Sequence, residues 1–186
     1  MDTPIRSNQA LLEQIKRGLK PDYLMFWGHQ PTRDGRISAS CFSQWFDTGF
    51  EIDGIHYPTA EHYMMAGKAL LFDDQQTHAR IIKAVAPADV KQLGREVRGF
   101  DDARWSEERM AIVVRGNLAK FSQHQALGEY LLSTRDQVLV EASPVDRIWG
   151  IGLAADDVKA EQPEKWRGLN LLGYALMEVR DRLHKA

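Results

Sequence analysis

Apolar residues recur every three or four positions along most of this chain, which is the spacing of one face of an α-helix. The periodicity predicts helices at about residues 8–19, 60–72, 75–85, 87–97, 102–122 and 125–132, and a last helix after Asn170. In the longest of them the apolar stripe consists of Met110, Val113, Val114, Leu118 and Phe121. Such a stripe indicates a helix that packs into the core.

A few segments have the patterns of strands instead. Residues 23–27 form a short apolar run that stops at Gly28, and residues 138–141 are a second β-prone segment. Residues 50–57 alternate around Asp53-Gly54, which is a strong signal for a hairpin turn. The sequence therefore predicts a mainly α fold with a few short β-strands.

The composition is that of an ordinary globular chain. Of its 186 residues, 44% are hydrophobic and 27% are charged, which is enough for one good core. We expect residues 1–20 to form an accessory helix and residues 21–186 to form a single domain.

Charge and cysteine content narrow the possible partners and the compartment. The net charge of −2 gives no electrostatic footprint for duplex nucleic acid, so no stable duplex binding is expected, whereas small or single-stranded partners stay open. The single cysteine, Cys41, excludes an internal disulfide and favours a reducing compartment. The chain shows neither an apolar run of membrane-spanning length nor a secretory signal, so we expect a cytoplasmic protein without a membrane partner.

The helix at residues 60–72 carries the most informative side chains. Thr59 is a good N-cap residue and predicts where this helix begins. Glu61 and Lys68 are seven positions apart, within about 20° of two full turns, so both leave the helix along one line, about 10 Å apart. Met65 lies between them on that line. Either the stripe faces solvent, as most Glu and Lys side chains do, or a small ligand lies between the two charges.

Several familiar chemistries find no support in the motifs. The chain has no phosphate loop of the GxxxxGK type and no GxGxxG, and its histidines lack the HExxH spacing of zinc proteases. One cysteine cannot build a structural zinc site, and no GxSxG nucleophile elbow is present. We therefore expect no metal and no cofactor.

Seven segments follow one another in a recognisable order. They read FWGH at 26–29, AEHYMMAGKALLF at 60–72, LGREVRGFD at 93–101, RWSEER at 104–109, NLAKF at 117–121, SPVDRIWGIGL at 143–153 and NLLGYALMEVRD at 170–181. Together they resemble the NADAR family, also called YbiA-like, over about residues 23–183.

That resemblance implies an N-glycosidase, an enzyme that cleaves the bond between a ribose C1 and a nitrogen, on a largely helical, orthogonally packed bundle. Characterised members divide between two activities: hydrolysis of ribosylamino-pyrimidine phosphates, which are riboflavin intermediates, and removal of ADP-ribose from guanine bases. The expected partner is thus a small phosphorylated ribosyl-base substrate or ADP-ribosylated guanine.

The residues at the family's motif positions are Glu61, Lys68, Trp105, Asp146 and Trp149. A carboxylate near C1 stabilises an oxocarbenium-like state and can activate water, so Glu61 or Asp146 could act there. A neutral Lys68 offers a different route, in which its amine attacks C1 and forms a Schiff base. Asp146 also follows Pro-Val, a setting in which Asp commonly makes an Asx-turn.

Other side chains are candidates for binding the substrate. Trp105 and Trp149 could stack on a planar base, or both could be core aromatics. Gly150 would allow the backbone to approach a ligand closely, and Asn170 is most simply the cap of the last helix. The candidates for a substrate phosphate are Arg95, Arg98, Arg104 and Arg147.

Two functional classes stay open, an N-glycosidase and a catalytically silent module that binds ADP-ribose or a related nucleotide. Intact Glu61, Lys68 and Asp146 favour the enzyme, because a pure binder has less need of an amine and two carboxylates. The absence of a nucleic-acid groove pattern favours the small phosphorylated substrate over ADP-ribosylated guanine.

Overall fold

The computed structural model describes residues 4–185, which contain seven α-helices and four short strands. The helices are α1 (Asn8–Lys16), α2 (Ala60–Leu71), α3 (Gln75–Lys83), α4 (Pro87–Arg95), α5 (Asp102–Gln123), α6 (Gln125–Ser133) and α7 (Leu171–Lys185). The strands are β1 (Tyr23–Phe26), β2 (Phe50–Ile52), β3 (Ile55–Tyr57) and β4 (Val138–Glu141). The predicted mainly α class is confirmed. Within residues 4–185, no helix is both long and apolar enough to cross a membrane.

The chain divides into two compact units. Unit 1 combines the segment that ends at Ser43 with the segment that begins at Gln125, and unit 2 is the intervening Gln44–His124. Unit 1 therefore contains α1, α6, α7, β1 and β4, while unit 2 contains α2 to α5 and the hairpin of β2 and β3.

Unit 1 is built on a parallel pair of strands. Tyr23 of β1 pairs with Val138 of β4, and the register continues to Phe26 and Glu141. Helix α7 packs against β4 and α6. Helix α1 belongs to this unit, and its Leu11 is fully buried.

Helix α1 is shorter than predicted. It ends at Lys16 because Gly18 adopts a left-handed conformation with φ +106°, and the N–H of Leu19 bonds back to the carbonyl of Gln14 at 3.0 Å. The sequence pattern continued to Leu19 because that side chain keeps the helical spacing, although its backbone has already left the helix.

Unit 2 is organised around α2, which packs against α3, α4 and α5. Thr59 caps α2 as predicted, and its Oγ1 accepts a hydrogen bond from the backbone N–H of His62. The His62 ring is fully buried between Thr59 Oγ1, at 2.8 Å, and the carbonyl of Ala84, at 3.1 Å. The predicted hairpin precedes this helix, with Phe50 opposite Tyr57 and positive φ at Asp53.

A buried carboxylate fixes the start of α3. Asp74 accepts from the N–H of Thr77 at 3.1 Å, and from the backbone N–H and the guanidinium of Arg98 at 2.9 and 2.7 Å. These bonds, above all those from the Arg98 side chain, hold the pKa of the Asp74 carboxyl far below its ordinary value. Asp74 thus joins the first turn of α3 to the segment that follows α4.

The pKa of Asp74 is lower in the folded protein than in the unfolded chain. The ionised carboxylate therefore stabilises the fold fully at pH values above the pKa of an unfolded aspartate, and this stabilisation decreases as the pH falls below that pKa. We expect Asp74→Asn to lower the melting temperature of the protein by a few degrees at pH 7, and by less below about pH 4. Thermal unfolding across pH measures this. Asp73→Asn is the matched control, since Asp73 is exposed and asparagine tolerates its left-handed backbone; equal shifts in both variants would contradict the assignment.

Candidate functional site

Lys68 lies half-buried in the second half of α2, inside a small cage. Its Nζ donates to the backbone carbonyl of Gly94 at 2.7 Å. The same atom lies 4.3 Å from the centroid of the Phe100 ring and 5.6 Å from that of Trp105. Burial lowers the pKa of the Lys68 amine below its ordinary value of 10.5, and the charge of Asp102 opposes part of that shift. A larger fraction of this amine is therefore neutral than of an exposed lysine.

Glu61 lies in the first turn of the same helix and is only 4% exposed. Met65, between Glu61 and Lys68 on the stripe, is 8% exposed. The interpretation that the stripe faces solvent is therefore wrong. Other helices of unit 2 cover α2, so this carboxylate sits in a layer of low dielectric, where charges interact more strongly than in water.

Trp105 belongs to the first turn of α5 and packs as a core residue, with 7% of its surface exposed. Its ring also faces the Lys68 amine, at the distance given above. In this structure the indole thus forms one wall of the lysine cage, and little of its surface is open for stacking on a base.

The remaining predicted site residues lie in unit 1, in the loop that follows β4 and at the start of α7. Asp146 Oδ1 accepts from the backbone N–H groups of Ile148 and Trp149, at 2.8 Å each. This is the Asx-turn that the sequence offered as the structural interpretation of Asp146. Trp149 is half-buried, and its carbonyl accepts the N–H of Leu172 in α7.

Gly150 and Arg147 owe their positions to the backbone of unit 1. A Cβ on Gly150 would lie 2.8 Å from the carbonyl oxygen of Glu141 and 3.1 Å from that of Asp146. Close packing of this loop on the end of β4 therefore accounts for the glycine. The carbonyl of Arg147 accepts the N–H of Leu169, while its side chain is exposed.

Asn170 precedes α7, as predicted, and its carbonyl accepts the N–H of Tyr174. Its side chain, however, bonds to β4: Oδ1 accepts from the N–H of Glu141 and Nδ2 donates to the carbonyl of Leu139, both at 3.0 Å. The side chain is completely buried and the backbone has φ +53°. Asn170 thus joins α7 to the sheet, and its contact with substrate stays a prediction.

Two of the arginines considered for phosphate binding have other contacts. Arg98 forms an ion pair with Asp74, and the guanidinium of Arg104 lies 5.8 Å from the centroid of the Phe72 ring. Arg95 is exposed near the end of α4, one position after the carbonyl that binds Lys68. Its place beside the lysine cage makes it the best of these candidates in unit 2.

Sequence reasoning missed a buried polar group on α5. Asn117 and Lys120 are fully buried, whereas Met110 and Leu118 of the predicted stripe are only half-buried. Gln44, 7% exposed, accepts from Asn117 Nδ2 at 2.8 Å. The sequence contained one indication of this buried polar group: Asn117 and Lys120 are polar residues that directly precede Leu118 and Phe121 of the apolar stripe.

Two further features of the described residues lie apart from the predicted site. A cleft of about 720 Å³ in unit 1 is lined by residues that include Arg6, Arg135, Arg180 and Asp181, and none of the predicted site residues lines it. Across residues 4–185, no cluster of His, Cys, Asp and Glu side chains has the arrangement of a metal site.

Comparisons with known proteins agree on one family. The family model described as NADAR domain matches residues 25–184. N-glycosidase R617 of Acanthamoeba polyphaga mimivirus is 42% identical over 164 residues, which are 86% of this chain and 95% of that protein.

Two other matches extend this picture. The NMR structure of the Escherichia coli protein YbiA has a TM-score of 0.71 and 26% sequence identity, over 90% of this chain and 88% of that one. A Zea mays protein named as a chloroplastic riboflavin biosynthesis protein, PYRR, is 33% identical over 138 residues. Those residues are 70% of this chain but only 20% of the maize protein.

Proposed function

Because this chain belongs to the NADAR domain family and is an N-glycosidase by its relationship to enzymes of that name, we propose that it hydrolyses the ribose C1–N bond of ribosylamino-pyrimidine phosphates. The products are ribose 5-phosphate and the free aminopyrimidine. Glu61 and Lys68 are the proposed catalytic residues within unit 2.

The observation that carries this proposal is the environment of Lys68. A lysine that acts as a nucleophile needs a neutral amine, and burial moves the pKa of Lys68 in that direction. The Gly94 carbonyl accepts one N–H and so orients the amine, while the Phe100 ring excludes water from one side. A lysine kept only for solubility would extend into water.

Glu61 supplies the second element. It lies two turns before Lys68 on the same face of α2, about 10 Å away along the axis. Its carboxylate near C1 stabilises the positive charge that develops as the C1–N bond breaks. It can also serve as the base that activates the attacking water.

The lysine route proceeds through a covalent bond between Lys68 and the sugar. The lone pair of Nζ forms a bond to C1 while the C1–N bond breaks, and the departing base keeps the bonding electrons and takes up a proton. The attached nitrogen then loses a proton, and the bond between C1 and the ring oxygen breaks as that oxygen takes up a proton. The sugar is now an open chain joined to Nζ as a protonated imine. Water then adds to C1, and collapse of that adduct releases ribose 5-phosphate and restores the lysine.

In the alternative route Glu61 activates water for direct attack on C1, and Lys68 only binds the substrate. The roles of Asp146 and Trp149 stay predictions, as do those of Arg147, Gly150 and Asn170. Of these, Asp146 already uses Oδ1 to accept hydrogen bonds within its own loop. A role in catalysis would therefore use its other carboxylate oxygen, Oδ2.

The choice of substrate rests on two points. The maize relative carries riboflavin biosynthesis in its name, and the aligned part spans 70% of this chain. The net charge of −2 also provides no general attraction for a nucleic-acid substrate. Both favour a small phosphorylated riboside over ADP-ribosylated guanine in a nucleic acid.

Mass spectrometry of the products tests the proposal. The protein and its Lys68→Ala variant are incubated with 5-amino-6-ribosylamino-uracil 5′-phosphate and, separately, with ADP-ribosylated guanosine. We expect ribose 5-phosphate from the first substrate with the unaltered protein only. Free ADP-ribose from the second substrate alone would replace the proposed substrate, and binding without cleavage of either would favour a non-catalytic module.

A further inference from the structure

Gln44 and Asn117 form a buried pair of amides whose orientation is fixed. Asn117 Nδ2 donates one hydrogen to the carbonyl of Val113 at 2.9 Å and the other to Gln44 Oε1 at 2.8 Å. The Val113 carbonyl can only accept a hydrogen bond, so the Asn117 atom beside it must be the amide nitrogen. That nitrogen donates its second hydrogen to Gln44, so the Gln44 atom that it contacts must be the amide oxygen.

Each amide keeps one group without a hydrogen bond. Among the residues that the structure describes, Gln44 Nε2 and Asn117 Oδ1 have no partner, although both atoms are buried. Leaving a polar group unpaired in a protein interior is unfavourable, because the group loses its hydrogen bonds to water without replacing them. Each of these atoms belongs to the same planar amide as one end of the 2.8 Å bond, so the unpaired donor and the unpaired acceptor lie on two directly bonded amides.

The pair lies beside the first turn of α2. The backbone carbonyl of Gln44 accepts the N–H of Glu61 at 2.9 Å, and both residues are more than nine-tenths buried. The backbone of one member of the amide pair is therefore bonded directly to that of Glu61.

We propose that Gln44 Nε2 and Asn117 Oδ1 bind the 2-hydroxyl group of the substrate's ribose, an inference that rests on the proposed function. A hydroxyl is both donor and acceptor, so one oxygen satisfies both unpaired groups. The 2-hydroxyl is attached to the carbon next to C1, the atom assigned to Glu61.

This arrangement makes the enzyme specific for ribosides. A site that is built to hydrogen bond a hydroxyl rejects the analogue without it, because the polar groups of the protein stay unpaired in the complex. Gln44 and Asn117 are therefore specificity-determining residues, which act on the sugar and not on the leaving base.

Calorimetric binding of product sugars tests the proposal without requiring turnover. Ribose 5-phosphate is compared with its 2-deoxy and 3-deoxy analogues, and ADP-ribose with the analogue that lacks the 2-hydroxyl on its terminal ribose. We expect loss of the 2-hydroxyl to weaken binding at least about tenfold, in whichever of the two sugar series the protein binds. In Gln44→Glu, which keeps the acceptor oxygen and replaces only the Nε2 donor, we expect this ratio to fall, because only Asn117 Oδ1 can then bond to the hydroxyl.

Gln123→Glu is the matched control, because this exposed glutamine also uses both amide atoms, bonding to the backbone of Glu51 at 2.7 and 2.9 Å. Its ratio should equal that of the unaltered protein. The proposal is overturned if no sugar phosphate binds, if the preference follows the 3-hydroxyl, or if Gln44→Glu lowers the melting temperature but keeps the ratio. Failure of the proposed function appears separately, as sugar binding without cleavage of either nucleoside substrate.

Discussion

Lys68→Arg is expected to lower kcat by at least about 1000-fold. Arginine keeps the positive charge and can still donate to the Gly94 carbonyl and face the Phe100 ring, but its guanidinium does not deprotonate in proteins and cannot attack C1. A lysine that only binds substrate would tolerate this change with a moderate effect on KM. Steady-state kinetics with the ribosylamino-pyrimidine phosphate therefore separates the two roles.

The pH dependence of the unaltered enzyme gives an independent measurement of the same residue. Burial lowers the pKa of Lys68, so the neutral amine becomes available at lower pH than for an exposed lysine with a pKa of 10.5. In the lysine route kcat rises with pH through an apparent pKa below that value, and Lys68→Arg lacks this limb. Because the folded protein binds fewer protons here than the unfolded chain, stability also rises with pH across that interval.

Lys91→Arg is the matched control for this experiment. Lys91 is another lysine of unit 2 beside an indole, with its Nζ 5.9 Å from the centroid of the Trp45 ring, but it is exposed. Its kcat should match that of the unaltered enzyme. Borohydride reduction during turnover should trap the sugar on the peptide that contains Lys68. An active Lys68→Arg variant with no trapped adduct would refute the lysine route and favour water activation by Glu61.

Gly173→Ala is expected to destabilise the protein by about 3 kcal/mol. A Cβ on Gly173 would lie 2.0 Å from the carbonyl oxygen of Leu139 and 2.6 Å from Asn170 Nδ2. Both atoms belong to the junction of α7 with β4, where Nδ2 already donates to that carbonyl. Alanine favours helix by about 1 kcal/mol over glycine, which is too little to offset a clash with backbone. The melting temperature should fall by roughly 6–12 °C.

His184→Ala, in an exposed position on the same helix, is the comparison for this stability measurement. Its unfolding free energy should stay within about 0.5 kcal/mol of the original. If Gly173→Ala were as stable as the unaltered protein in chemical denaturation, the close approach of α7 to β4 described above would be incorrect.

The local elements could be predicted from the sequence because their signals are local. Thr59, which the sequence predicts as the cap of α2, accepts a hydrogen bond from the first turn of that helix. The Asp53-Gly54 turn likewise needs only its own backbone geometry and the alternation on either side. Errors occur at helix ends. In α1 the helical spacing of apolar side chains continues to Leu19, whereas the helix itself ends at Lys16.

The burial of the site could not be predicted, because it depends on residues distant in the sequence. Glu61 and Lys68 are charged residues of a kind that is usually exposed to solvent. Glu61 is buried because α3, α4 and α5 pack against α2. The carbonyl that binds Lys68 belongs to the backbone of Gly94, so no side chain in the sequence indicates this contact. Composition and spacing contain no information about such a partner.

The polar pair of Gln44 and Asn117 was missed for a related reason. A polar residue beside an apolar stripe is usually an exposed boundary position, and a sequence shows neither its burial nor its unpaired atoms. Asn170 was placed correctly at the start of α7, but its side chain bonds to a strand 29 and 31 positions away in the chain. Both cases show that a side chain's position along a helix does not determine its partner.

The order in which the ribosome makes the two units differs from the order in which they can be completed. Unit 2 is one uninterrupted segment, Gln44–His124, whereas unit 1 needs β1, which precedes that segment, and β4, which follows it. At cellular translation rates β1 is made on the order of ten seconds before its partner strand. During that interval Tyr23–Phe26 is an apolar strand with an unpaired edge. The nascent chain is therefore most exposed to misassembly or to chaperone capture before Val138 emerges.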